Sequence, residues 1–169
     1  MKIIDFVDMN IRITWTLLLI GFNSNKLLKN SKYEKKSISS DEIINYATRY
    51  LENSSDNDVI SLAILTKEDE DDIYSILAKL SDKEGCDYDF EFRKFRAMYF
   101  YQNMPSADEE YIHGILGFNE LWDKFGFPAD SPNIFFKFED YSAEKFNVLI
   151  AIHKAWLKTE FEVVIRADN

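Results

Sequence analysis

Apolar residues recur along this chain mostly at helical spacing. Ile73, Ile76, Leu77 and Leu80 follow an i, i+3, i+4, i+7 stripe directly behind a crowded acidic run. Phe146, Leu149, Ile150, His153 and Leu157 make a second stripe after Ser142, and Ile43, Ile44, Ala47, Tyr50 and Leu51 a third after Ser39. Ser39 with Glu42, Thr66 with Asp69 and Ser106 with Glu109 stand three residues apart, a capping-box spacing that predicts a helix start at each. Thr14 predicts a cap for a short apolar helix from Trp15 to about Phe22. Tyr111, Ile115, Phe118, Trp122 and Phe125 line one face of the helix opened at Ser106, with a break expected at Gly114 or Gly117. Ser131 before Pro132 predicts one more short helix.

Some windows are ambiguous. Residues 59–65 are almost continuously apolar, so periodicity alone does not separate a buried strand from a buried helix, and helical neighbours favour helix. The alternation of Phe161, Val163 and Ile165 fits a small strand or a fraying tail. Ile3, Ile4, Phe6 and Val7 are expected to dock on the core, while 23–37, with Lys26, Lys29, Lys32, Lys35 and Lys36, reads as a mobile connection. Residues 87–103 hold seven aromatics around nearly the whole helix, the mark of a core element even though Arg93, Lys94 and Arg96 interrupt them. The expected architecture is all-α: one domain over 1–169, seven or eight short helices, packed as an antiparallel array or a short superhelix. Only five glycines and three prolines favour helices over a many-turned sandwich.

Charge changes the picture more than composition does. Residues 1–38 hold seven Lys/Arg against three Asp/Glu, leaving thirteen basic and twenty-seven acidic residues for the rest, a net of −14 there. That field repels nucleic acid and anionic lipid and attracts a basic protein. Its densest point is Glu68, Asp69, Glu70, Asp71 and Asp72, which fits either a dipole-favoured solvated helix start or an electrostatic contact for a basic partner. The run lacks the ligand pattern and turn glycine of an EF-hand loop.

Motifs for chemistry are few. The glycines at 21, 85, 114, 117 and 126 form neither a P-loop nor a dinucleotide fingerprint. Cys86 is the single cysteine, so no disulfide closes within the chain, and it reads as a small residue beside a helix-ending glycine unless the fold brings His113 or His153 to it. His153 on its apolar stripe reads as a hydrogen-bonded core histidine. His113 shares a face with Glu110 and Glu120, a thin basis for a divalent site against the simpler solvated face. No metal or cofactor is expected. The apolar run 13–22 is too short to span a membrane and follows Asp5 and Asp8, not a basic leader, so a cytoplasmic protein with a buried first helix is expected.

Ile13-Thr14-Trp15, the stretch from Ser40 to Ala47, the apolar run 59–65 before an acidic helix, and Leu121-Trp122 followed by Phe127-Pro128 occur in that order. Together, over most of residues 13–136, they resemble the uncharacterised bacterial family named domain of unknown function 2247, against which 23–37 looks like an insertion. Such families resemble the immunity proteins that accompany polymorphic toxins. The resemblance implies a non-catalytic binding protein that neutralises a cognate toxin by direct contact, and it carries no catalytic residues over. The rivals are a small carboxylate- or metal-dependent enzyme using groups near His113 or His153, and a helical scaffold or adaptor.

Overall fold

A computed structural model describes residues 2–29 and 36–168. Among the described residues there are nine α-helices and no strand: α1 Ile3–Asp8, α2 Trp15–Phe22, α3 Ser24–Leu27, α4 Ser40–Tyr50, α5 Asn57–Ala63, α6 Glu70–Glu84, α7 Tyr88–Asn103, α8 Tyr111–Lys124 and α9 Ala143–Asp168. They form a single compact all-α domain.

The central element is α2, buried on nearly every side. Thr14 caps it, accepting from the Leu17 amide at 3.0 Å, while the Glu84 carboxylate accepts from the Trp15 amide at 2.7 Å. That second contact joins the start of α2 to the end of α6, so the two helices run antiparallel. Asp56, the N-cap of α5, and Asp58 in its first turn meet Lys83 near the end of α6, and Tyr46 and Tyr50 on α4 pack edge-on to Trp15. Each of these neighbours runs opposite to its partner, as an antiparallel array requires. Gly85 ends α6 at φ 64°, a left-handed cap that a β-carbon would strain.

The last two helices depart from that pattern. Gly114 lies against Phe146, Phe118 against His153, and Trp122 against both His153 and Trp156, so α8 and α9 run in the same direction. A parallel pair needs a connection that returns along the length of the helix, about 21 Å for the 14 residues of α8. Residues 125–142 supply it, crossing back along the surface with only a 3-10 turn at Phe138–Asp140. The helix expected after Ser131 is absent: 131–137 runs without a helical turn, the Ser131 hydroxyl accepting from the Asn133 amide and Phe136 packing onto the α8–α9 core.

Other expectations also shift. α8 begins at Tyr111, not after Ser106: Glu109 accepts from the Ser106 amide at 2.8 Å, one half of the box, but the Ser106 hydroxyl accepts from the Asp108 amide and the Glu109 amide donates to the Ser106 carbonyl, so only a turn closes. Neither Gly114 nor Gly117 breaks α8. Gly114 instead allows the close approach of α9, since a β-carbon there would sit 2.2 Å from the Phe146 ring. Residues 59–65 fall largely in α5, and 161–165 simply continue α9, with Val164 fully buried between the alternating positions. In α1, Ile3 and Phe6 dock on the core whereas Ile4 and Val7 face solvent. Part of 23–37 is ordered as α3, and Lys36 lies 3.6 Å from the centroid of the Phe22 ring; Lys32 and Lys35 lie outside the described residues.

Candidate functional site

The five acidic residues at 68–72 do not act as one set. Asp69 is the N-cap of α6, and its carboxylate accepts from both the amide and the hydroxyl of Thr66 at 2.8 Å, so only one half of the expected box forms, the Thr66 hydroxyl donating to Asp69 instead of accepting from its amide. The backbone bond from Thr66 is the larger of the causes that hold the Asp69 carboxyl below its usual range. Glu70 meets Lys36 at 2.8 Å. Glu68, Asp71 and Asp72 remain exposed and without an ion-pair partner among the described residues. Asp71 and Asp72 lie in the first turn of α6, where they favour the helix dipole. Behind them Ile73, Leu77 and Leu80 are buried, which fixes the direction in which the carboxylates project.

Apolar groups flank these acids in sequence. Ile64, 77% exposed, ends α5, and Tyr74 is exposed one turn into α6, with the Lys26 ammonium 5.7 Å from its ring. A groove of about 480 Å³ adjoins the run, lined by Asn25, Lys36, Asp41, Lys67 and Glu70. Its two lysines balance its two carboxylates, so the unbalanced negative charge is that of Glu68, Asp71 and Asp72.

The histidines and the cysteine stand apart from this surface. His153 is fully buried: Nε2 accepts from Trp122 Nε1 at 2.7 Å, and Nδ1–H donates to the Leu149 carbonyl at 2.7 Å. That pair of bonds selects the neutral tautomer, and burial pushes its pKa down to about 4. His113 is exposed, 3.5 Å from Glu110. No group of three or more metal-ligating side chains gathers among the described residues. Burial raises the Cys86 thiol, with Glu84 and Glu91 adding to it, the opposite of what a thiolate nucleophile requires.

Sequence reasoning missed the charges inside the aromatic helix. Glu91 and Lys94 are buried and paired at 3.0 Å, and Glu91 also accepts from the Thr14 hydroxyl at 2.7 Å, tying α7 to the cap of α2. Arg93 grips Glu160 through two bonds of 2.6 and 2.8 Å, and Arg96 holds Asp130. The Arg96 guanidinium also lies 5.8 and 5.6 Å from the rings of Trp122 and Trp156. The i, i+3 spacing of Glu91 and Lys94 was the available signal; the partners of Arg93 and Arg96 are too distant in sequence to be found that way.

Over residues 3–161 the chain matches the family model DUF2247, described as an uncharacterized protein conserved in bacteria. The chain belongs to that family. No curated protein and no solved structure gives a significant match to this DUF2247 protein. None of its described helices is long and apolar enough to cross a membrane.

Proposed function

We propose that this DUF2247 protein is a non-catalytic binding protein, an immunity protein that neutralises a cognate bacterial toxin in the cytoplasm by contact with a basic toxin domain. The observation that carries the reading is the exposed trio of Glu68, just before α6, with Asp71 and Asp72 in its first turn, without an ion-pair partner among the described residues, on an element whose opposite face is locked into the core. Carboxylates held this way attract a cationic surface at long range and present a fixed pattern at short range. Ile64 and Tyr74 supply apolar contact beside them. The segregation of charge along the chain and the resemblance to immunity families support the same reading.

The test is to look beside this gene for a large secreted protein with a variable C-terminal domain, which the reading expects, and to co-express that domain with this protein. Survival of the cells and a stoichiometric complex with the purified domain are expected. Failure to bind or protect overturns the proposal. Protection that survives without a complex, and is lost in a folded His113→Ala variant, favours the enzyme reading instead.

A further inference from the structure

The connection between α8 and α9 is the longest described stretch without an α-helix, and connections of this length in compact domains are commonly functional. It is not loosely attached. Gly126 and Phe127 turn the chain off α8 with φ of 70° and 49°, and the left-handed conformation of Phe127 is one a bulky side chain seldom adopts. The Phe127 ring packs on Phe135 at 5.0 Å, Asp130 is held by the buried Arg96, and Asn133 Nδ2 donates to Asn119 Oδ1 at 2.8 Å. Phe136 packs between α8 and α9, with the Lys145 ammonium 5.0 Å from its ring.

Pinned at these points, the segment shows its remaining groups to solvent. Phe135 is 64% and Phe138 69% exposed, with Ile134 beside them. The backbone N–H groups from Ile134 to Phe138 donate to no protein acceptor among the described residues. An ordered, extended, aromatic edge with unpaired amides is a template for another chain, and folded proteins ordinarily blunt such edges. Here the ordering is already in place, so a partner would not have to supply it. Glu139, Asp140 and Glu144 lie immediately downstream, against Lys137 and the Asp140-paired Lys145. Together with the chain's net charge of −10, they oppose a second copy and favour a cationic segment.

We propose that residues 133–137, with Phe138 at the start of the 3-10 turn that ends them, form a docking edge for an extended, lysine- or arginine-bearing segment of a partner protein, with Phe135 and Phe138 as its anchors. Backbone pairing supplies the contact and the two phenyl rings fix its register. The edge rests on the function proposed above only for the identity of that partner, and it is tested apart from it.

The probe is an eight-residue peptide of alternating Lys and Val, titrated into the full-length ¹⁵N-labelled protein. Amide shifts at 134–138 are expected, with at least a tenfold loss of affinity in Phe135→Ser/Phe138→Ser. Because Phe135 touches Phe127, the single Phe138→Ser variant provides a second readout that leaves that contact in place. A peptide N-methylated at alternate residues and a Glu–Val peptide should not bind. The proposal is overturned if the Lys–Val peptide does not bind, if its shifts fall only at 66–72, or if N-methylation or the serine variants change nothing. Concentration-dependent dimerisation abolished by the serine variants would assign the edge to a second copy and overturn the basic partner. If the wild type protects against the neighbouring toxin and the double variant binds and protects equally, the toxin is overturned as the edge's partner and the proposed function stands. If the wild type does not protect, that function is wrong, and the peptide titration still decides the edge.

Discussion

Trp122 donates its indole N–H to His153 Nε2 at 2.7 Å where α7, α8 and α9 meet. The imidazole stacks on Phe118 at 4.1 Å, and Trp122 packs on Phe100 at the same distance. A neutral histidine is therefore a structural hinge pin between the parallel helices, and protonation would remove the only lone pair that accepts the indole bond.

Acid stability follows from this with a definite sign. Burial holds His153 at about 4, below its ordinary 6.5, so the unfolded chain takes up the proton first. The contribution is complete above pH 6.5 and is lost as pH falls from there towards 4. At about 1.4 kcal/mol per pKa unit, roughly 3 kcal/mol is at stake. Urea unfolding at pH 7 and pH 4.5 should show a larger acid loss for the wild type than for His153→Phe, which has no proton to gain. Equal losses would mean that the ring is not held neutral.

The buried Glu91–Lys94 pair yields a double-mutant cycle. Lys94→Met removes the buried ammonium 3.0 Å from the Glu91 carboxylate, and one-sided removals from a buried pair cost about 3–5 kcal/mol. Glu91→Gln/Lys94→Met should cost clearly less than Lys94→Met alone, since glutamine still accepts from the Thr14 hydroxyl. Additive losses in equilibrium unfolding would show that the two charges are not coupled.

Gly114 separates helix propensity from packing. Alanine is favoured over glycine within a helix by about 1 kcal/mol, yet the added carbon would lie 2.2 Å from the Phe146 ring. Overpacking of this kind costs about 1–3 kcal/mol, so Gly114→Ala should lower Tm by a few degrees. Adding Phe146→Leu should recover part of the loss, which a calorimetric scan of the three variants would reveal.

The helices were legible because their signals are local. Thr14 and Ser39 cap where a short polar side chain precedes an apolar stripe, and the inner face of α9 from Phe146 to Leu157 follows directly from its spacing. What sequence did not show depends on distant partners. Ser106 and Glu109 close only a turn because the Ser106 hydroxyl is taken by the Asp108 amide, and 131–137 is held without helix by Phe136 packing onto the α8–α9 core. Phe161 and Ile165 mimic a strand only because the buried Val164 between them completes a helical face with Leu157. The acidic run was visible as a run, but its division into structural Asp69 and Glu70 and free Glu68, Asp71 and Asp72 required Thr66 and Lys36 to be placed.

The central claim is that those three free carboxylates draw in a basic toxin domain. Stopped-flow association of the purified toxin domain with wild type and with Glu68→Gln/Asp71→Asn/Asp72→Asn, at several salt concentrations, tests it most directly. Complementary charge acts chiefly on the association rate, and salt screens it over roughly 8–10 Å at 0.1–0.15 M. Slower association, a flatter dependence on salt and an unchanged far-ultraviolet spectrum are expected for the triple variant. Identical association rates with the same salt dependence would contradict the claim and reduce the run to a solvated helix start.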